Sequence, residues 1–313
     1  MPVDLAPDDV VQLFPDVSVD GDQREGGQKL VFPVIYAGSR LALKFIDAGP
    51  IPADPYSQAE ADESLERALR EVYVLGRISS PHLVRCGVIQ PTLKQAPRHR
   101  TRQLFCYSEE WIDGDNLREV LLRDGAPRTL DPDEVIKLGL DILEALVALE
   151  QIEIVHRDIK PENIIKRHTS SDFVLIDLGI CYDKNSSSLT PASASSPVSP
   201  GYASPEQLNH DANRDLELDS RSDLFCLGIV LYEALFGCHP FRMRGDSRQQ
   251  WTRRILEDAP IQPSERPGER GTIPAKLNAV VMKLLGKYTY LRFRTCEEAR
   301  QALQQTGGEY NDD

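Results

Sequence analysis

The chain has no apolar run of the ~18 residues that a membrane helix needs, so no membrane span is expected. Its N-terminus, Met-Pro-Val-Asp-Leu-Ala, also lacks the basic, apolar start of a signal peptide, and a cytoplasmic protein is expected. Basic charge is scarce. The 36 Lys and Arg are outnumbered by 49 Asp and Glu, for a net charge of −13, which argues against nucleic acid or an anionic membrane as a general partner. Six cysteines (Cys86, Cys106, Cys181, Cys226, Cys238, Cys296) show no Cys-x-x-Cys spacing, so they read as reduced thiols, not as a metal site or a disulfide framework. No internal repeat is present. What remains is 313 residues, 41% of them hydrophobic, which is enough for one large or two small units with a real core.

The densest chemistry lies in Val-His-Arg-Asp-Ile-Lys-Pro-Glu-Asn over 155–163. Phosphoryl transfer needs a proton acceptor, a cation for the moving phosphoryl group and an oxygen for Mg²⁺, and Asp158, Lys160 and Asn163 are of those types. His-Arg-Asp, four residues and Asn is the catalytic-loop pattern of protein kinases, and this nonapeptide resembles it without a gap.

Other stretches extend the resemblance to the protein serine/threonine kinase family over roughly residues 15–305. Leu-Ala-Leu-Lys-Phe-Ile at 41–46 buries a lone Lys in an apolar strand, so Lys44 needs an anion. It looks like the family's strand lysine, which holds the α- and β-phosphates, with Ala42 in the same motif. The spacing predicts a helix over 58–78, with Leu65, Leu69, Val72, Leu75 and Ile78 as its apolar stripe and Glu71 beside it. The register of Glu71 before Leu75 and Pro81 resembles the helix Glu that pairs with that lysine. Asp177-Leu178-Gly179, at a strand end, resembles the family's metal-binding Asp-Phe-Gly. The resemblance thus implies Mg²⁺, with Mn²⁺ as an alternative, on Asn163 and Asp177, and ATP as the phosphate donor. Glu109-Glu110-Trp111-Ile112 resembles the hinge, where backbone groups of Glu110 and Ile112 would meet adenine. Glu109 takes a place more often filled by an apolar residue. Lys160 points to Ser/Thr hydroxyls of protein substrates.

The resemblance implies structural roles as well. Asp223 opens a buried helix and is placed to tie down the catalytic-loop backbone, and Arg292 is matched to Glu206 of Ser204-Pro205-Glu206. Between Asp177 and Glu206 lies a Ser/Ala/Pro-rich stretch that its position makes an activation segment. Arg157 precedes the catalytic Asp, and the sequence assigns it no acid. A phosphate on Thr190, Ser193, Ser195 or Ser196 would supply one, so autophosphorylation there is expected. The family's glycine-rich pattern is depleted: Gly26 matches, Gly27 stands next to it, and Val31 follows at the family's valine position. Lys29 is placed to add a cation.

The expected fold is α+β and bilobal, protein-kinase-like: a small antiparallel sheet with one helix, then a larger, mainly helical lobe, with ATP between them. Residues 1–14 are assigned as a loosely packed lead-in, 15–112 as the first lobe, 113–305 as the second and 306–313 as a tail. Five strands are expected in the small sheet, over 17–20, 30–36, 41–47, 84–90 and 104–108. Helices are expected over 131–149, 219–236, 247–257, 274–285 and 296–303, and the basic run at 94–102 as a solvated hairpin tip. Two other readings stay open: a kinase-fold scaffold that binds nucleotide without transfer, and a small-molecule kinase of related fold. Oligomeric state is not legible.

Overall fold

A computed structural model describes residues 4–26, 29–51, 63–123, 125–178, 182–183, 199, 201–209, 218–243, 245–262 and 273–307. The chain divides into two compact units, Met1–Ser79 with Val84–Ile112, and Ser80–Leu83 with Asp113–Asp313.

In the first unit, helix α1 (Pro7–Leu13) precedes strands β1 (Val17–Val19), β2 (Arg24–Gly26), β3 (Lys29–Tyr36) and β4 (Ser39–Pro50). Helix α2 (Glu63–Leu75) and strands β5 (Thr92–Gln95) and β6 (Arg102–Glu110) complete it. Among the described residues the strands form one antiparallel sheet in the order β1-β3-β4-β6-β5, with β2 on β3. The period-2 alternation of side chains sorts them cleanly. Leu30, Phe32, Val34, Leu41, Leu43, Phe45, Leu104 and Cys106 pack into one core with Val10 of α1. The register, in which Val31 faces Lys44 and Lys44 faces Tyr107, puts Lys29, Val31, Ala42, Lys44, Tyr107 and Glu109 on the other face.

Three expectations are corrected here. Residues 4–14 are not a loose lead-in. Leu5 and Val10 are buried in the sheet's core, and Arg98 on the β5–β6 connection pairs with Asp4 (2.9 Å) and Asp9 (2.8 Å). The basic run at 94–102 is the exposed hairpin tip expected of it, with Arg98 reaching that acidic start and Arg102 paired with Asp47 (2.7 Å). The stretch 84–90 is not a strand. Among the described residues it pairs with β6 only at the isolated Cys86–Glu109 bridge, with the Gly87 N–H donating to the Ser108 carbonyl (2.8 Å). Ser108 Oγ accepts the Ile89 N–H (3.0 Å) and fills the space that a Cβ at Gly87 would take, 2.2 Å away. The extra edge strand is β5 instead. In α2 the buried face carries Ala68, Glu71, Val74 and Leu75, while Leu69 is 48% exposed. Leu69 sits two positions from Glu71, about 200° around the helix, so turning Glu71 inward turns Leu69 out.

The second unit starts with β7 (Gly114–Asn116), α3 (Leu117–Leu121) and the hairpin β8 (Leu122–Arg123) and β9 (Ala126–Pro127). Helix α4 (Pro132–Gln151) starts where Asp-Pro predicts it. The Asp131 side chain accepts the Glu134 N–H, and Val135, Leu138, Ile142, Leu143, Leu146 and Leu149 are all buried. Strands β10 (Ile154–Val155), β11 (Ile164–Arg167), β12 (Phe173–Leu175) and β13 (Tyr182–Asp183) follow, with the catalytic-loop sequence held between β10 and β11. Helix α5 (Pro205–Asn209) leads to α6 (Ser220–Phe236), which is buried on every side and is the hub of the helical core. Gly237, at φ +65°, ends α6 in the left-handed conformation that favours glycine. Helices α7 (Arg248–Glu257), α8 (Ala275–Leu284) and α9 (Cys296–Gln304) lie within a residue or two of their expected bounds.

Among the described residues no helix is long and apolar enough to cross a membrane. Cys86, Cys106, Cys226, Cys238 and Cys296 are free thiols.

Candidate active site

The loop after β10 is held from below by one carboxylate. Asp223, in the first turn of α6, accepts the backbone N–H of His156 at Oδ2 and of Arg157 at Oδ1, each at 2.8 Å. Burial pushes the Asp223 carboxyl up to about 7, against the pull of those two donors. Gln207 Nε2 donates to the Arg157 carbonyl (2.8 Å), so the backbone of Arg157 is fixed on both sides. That restraint matters because Arg157 sits at φ +72°, a conformation that costs a non-glycine residue about 1–3 kcal/mol. His156 is fully buried, burial lowers its pKa, and Nδ1 accepts the Asp158 N–H (3.3 Å), so its ring is neutral.

Asp158 is thereby presented in one orientation. Its Oδ2 accepts from Lys160 Nζ (2.5 Å) and Asn163 Nδ2 (2.9 Å), and Asn163 Nδ2 also reaches the Asp158 carbonyl (2.9 Å). Its Oδ1 is buried and has no hydrogen-bond partner among the described residues. Lys160 Nζ donates to Ser199 Oγ as well (2.9 Å), which links the loop to the end of the Ser/Pro-rich stretch. The Ile176 N–H donates to the Asn163 carbonyl (2.9 Å), and this sets the next residue, Asp177 (φ +65°), beside Asn163.

Those residues suit a hard divalent cation. No group of three or more His, Cys, Asp or Glu forms a metal site among the described residues, so a cation would depend on Asp177, the Asn163 amide oxygen and oxygens of the substrate. Few protein ligands, all oxygen, and substrate phosphates for the rest is how Mg²⁺ is usually held.

The remaining elements stabilise this loop. Arg292 holds Glu206 through two parallel bonds, Nη1 to Oε1 (2.6 Å) and Nη2 to Oε2 (2.9 Å), and Ser222 Oγ donates to Glu206 Oε1 (2.7 Å). Sequence reasoning missed Asp141. From inside α4 its Oδ2 accepts the Phe173 N–H (2.9 Å) and fixes the strand that leads to Asp177. An acid among the buried positions of an apolar helix was the available signal.

In the first unit Lys44 is buried between two carboxylates, with Nζ to Glu71 Oε1 at 3.0 Å and to Glu109 Oε1 at 2.5 Å. Lys29 pairs with Glu71 Oε2. The expected Lys44–Glu71 pair is thus joined by Glu109, and Lys29 points at Glu71. Lys29 lies two residues before Val31 and Glu109 two after Tyr107, so strand alternation already put both on the Lys44 face. Val31 and Ala42 share that face, while Ile112 is buried at the unit's end. The Glu110 N–H donates to the Arg85 carbonyl (3.0 Å), which restricts any base contact by the Glu110 backbone to its carbonyl. Gly26 ends β2 opposite Lys29. Gly27, Thr190, Ser193, Ser195 and Ser196 lie outside the described residues.

A carboxylate locked by an amide and a lysine, ahead of a strand-end aspartate, and a separate buried lysine–glutamate pair match the arrangement that the resemblance to protein kinases implies. The protein kinase domain matches residues 40–306, and the chain belongs to the protein kinase family, whose fold it has. The serine/threonine-protein kinase PknB of Mycobacterium leprae is 36% identical over 194 residues, 62% of this chain and 29% of that protein. A "probable serine/threonine-protein kinase" of Clostridium perfringens is 29% identical over 275 residues, covering 88% of this chain and 36% of the other. The serine/threonine-protein kinase pkn3 of Myxococcus xanthus is 30% identical over 201 residues, 62% of this chain and 35% of the relative. This chain spans about a third of the length of these relatives.

Proposed function

We propose that this chain transfers the γ-phosphoryl group of ATP to Ser and Thr hydroxyls of protein substrates. One observation carries the reading: Asp158 has one carboxylate oxygen locked by Lys160 and Asn163 and the other buried without a partner among the described residues. That second oxygen, Oδ1, is the proton acceptor. The substrate hydroxyl gives its proton to Asp158 as its oxygen bonds to Pγ, the bond from Pγ to the β-bridging oxygen breaks, and ADP leaves. Lys160 spans Asp158 and Ser199 and offsets charge on the group in transit. Lys44 takes the α- and β-phosphates. Asn163 and Asp177 would hold Mg²⁺, or Mn²⁺ in its place, which supplies neutralisation of phosphate charge.

The Ser/Thr preference rests on Lys160 and on the names of the relatives. Autophosphorylation at Thr190, Ser193, Ser195 or Ser196, close in sequence to Ser199, belongs to the same reading, as do a cytoplasmic location and protein partners. A nucleotide-binding scaffold without transfer is the second reading, favoured by the depleted glycine pattern around Gly26 and by Lys29 being committed to Glu71. Incubation with Mg·ATP, followed by mass spectrometry of this chain and of a generic basic protein, separates the two. Phosphate on either supports transfer. Its absence from both, with nucleotide binding retained, leaves the scaffold.

A further inference from the structure

Glu109 occupies a position that the proposed chemistry does not use. It is 3% exposed, on β6, and it reaches across the sheet to the Lys44 ammonium at 2.5 Å, closer than Glu71 at 3.0 Å. The groups that face it are Lys44 from β4, Glu71 from α2 and Lys29 from β3; Tyr107 lies beside Lys44, whose ammonium is 5.6 Å from its ring, and Cys86 bridges to Glu109 through the backbone. Lys29, Lys44, Glu71 and Glu109 carry two positive and two negative charges, so these four groups sum to zero when both acids are ionised.

Phosphate upsets that sum. A phosphate arriving at Lys44 adds a further anion beside Glu71 and Glu109, at a site removed from water where like charges repel strongly. The cheapest relief is a proton on one carboxylate. Glu71 is also paired with Lys29, whereas among the described residues Glu109 pairs with Lys44 alone.

We propose that Glu109 is a positioning residue for Lys44 that gives up its charge when phosphate arrives, so that nucleotide binding takes up one proton from solvent. Glu109 holds the ammonium in place in the empty chain, and as the neutral acid it releases the ammonium to the phosphate. Burial, above all, brings the Glu109 carboxyl up to about 7, with Lys44 and Lys29 opposing and Glu71 adding to the rise, so the exchange falls within the working range of pH.

The proposal rests on the kinase reading through Lys44 as a phosphate ligand. The test is calorimetric titration of the full chain with Mg·ADP at pH 6 and pH 8, in buffers of different ionisation enthalpy. Wild type is expected to take up close to one proton at pH 8 and almost none at pH 6, and to bind about tenfold more weakly at pH 8. Glu109→Gln keeps the shape without the charge, and is expected to lose both the uptake and its share of the pH dependence. Glu109→Met serves the same purpose if the Gln variant does not fold. Wild-type uptake shows that a group takes up a proton on binding, and its loss in either variant assigns that group to Glu109. Binding without uptake at pH 8, or with the same uptake in Glu109→Gln, overturns the proposal and leaves the kinase reading intact. No binding of Mg·ADP by wild type at either pH overturns both.

Discussion

Asn163 donates its side-chain amide to Asp158 twice, to the backbone carbonyl and to carboxylate Oδ2, both at 2.9 Å. One nitrogen thus fixes both the loop's turn and the direction of the carboxylate. Replacing Asp158 with Asn removes the proposed proton acceptor and leaves the loop's hydrogen bonds largely possible. Phosphoryl transfer should then fall roughly 10²–10⁴-fold, while Mg·ADP affinity changes little. Single-turnover rates and equilibrium binding check the two halves separately. Full turnover in this variant would remove Asp158 from the chemistry.

Asp177 should behave in the opposite way. It follows Ile176, whose N–H bonds the Asn163 carbonyl, and in the proposed chemistry it contributes an oxygen to the cation, not a base. Asp177→Asn should weaken Mg·ATP binding and raise the Mg²⁺ concentration needed for half-maximal rate, with a smaller loss at saturating metal. A variant with unchanged metal dependence would show that the cation is held elsewhere.

Asp223 is a case where structure and chemistry fail together. Its two oxygens satisfy the buried N–H groups of His156 and Arg157, and truncation leaves both without an acceptor. Asp223→Ala should lose roughly 2–5 kcal/mol of stability, from two stranded donors, and should lower the rate of transfer because Arg157 is no longer held at positive φ. Denaturant unfolding and the rate at a temperature where the variant is still folded are the measurements. An unchanged midpoint would mean that the loop finds other acceptors.

Much of this was legible along the chain because each motif is local. The catalytic-loop motif, the Asp-Leu-Gly motif and the Asp131 cap each lie within a few consecutive residues. The Lys44–Glu71 and Arg292–Glu206 pairs were legible only through the family's register, since nothing local joins residues 86 positions apart. The errors came from long-range pairing without a motif. The acidic start at Asp4 and Asp9 finds Arg98 across the sheet, which no window of sequence brings together. Glu109 looked out of place because a single strand shows polarity but not its neighbours. Once β4 and β6 are in register, Lys44 stands diagonally opposite and accounts for it. Helix α2 misled for a different reason. Its inward face is chosen by an ion pair, so hydrophobic spacing alone assigned Leu69 to the core.

The pair of Glu206 and Arg292 should set the acid limit of the second unit. Burial alone would raise the Glu206 carboxyl, but the two Arg292 bonds, the guanidinium charge and the Ser222 hydroxyl outweigh it and hold the pKa below its ordinary value of 4.5. A carboxyl with a depressed folded pKa stabilises above its unfolded pKa, and that contribution is lost as pH falls through the folded value. Wild type should therefore weaken as pH drops below about 4.5, the ordinary value for an unfolded Glu. Arg292→Ala leaves a buried carboxylate unpaired and should cost about 3–5 kcal/mol at pH 7. Arg292→Lys keeps the charge but loses the parallel bonds, and should fall between the two. In Arg292→Ala burial without the guanidinium should lift the Glu206 pKa above 4.5, so the variant should regain stability as pH falls through that raised value. The gap to wild type should narrow from there, and further below about 4.5, where wild type loses its own contribution. Urea unfolding from pH 4 to pH 8 measures all three proteins. A gap that stays constant across that range would show that the pair stabilises by packing and not by charge.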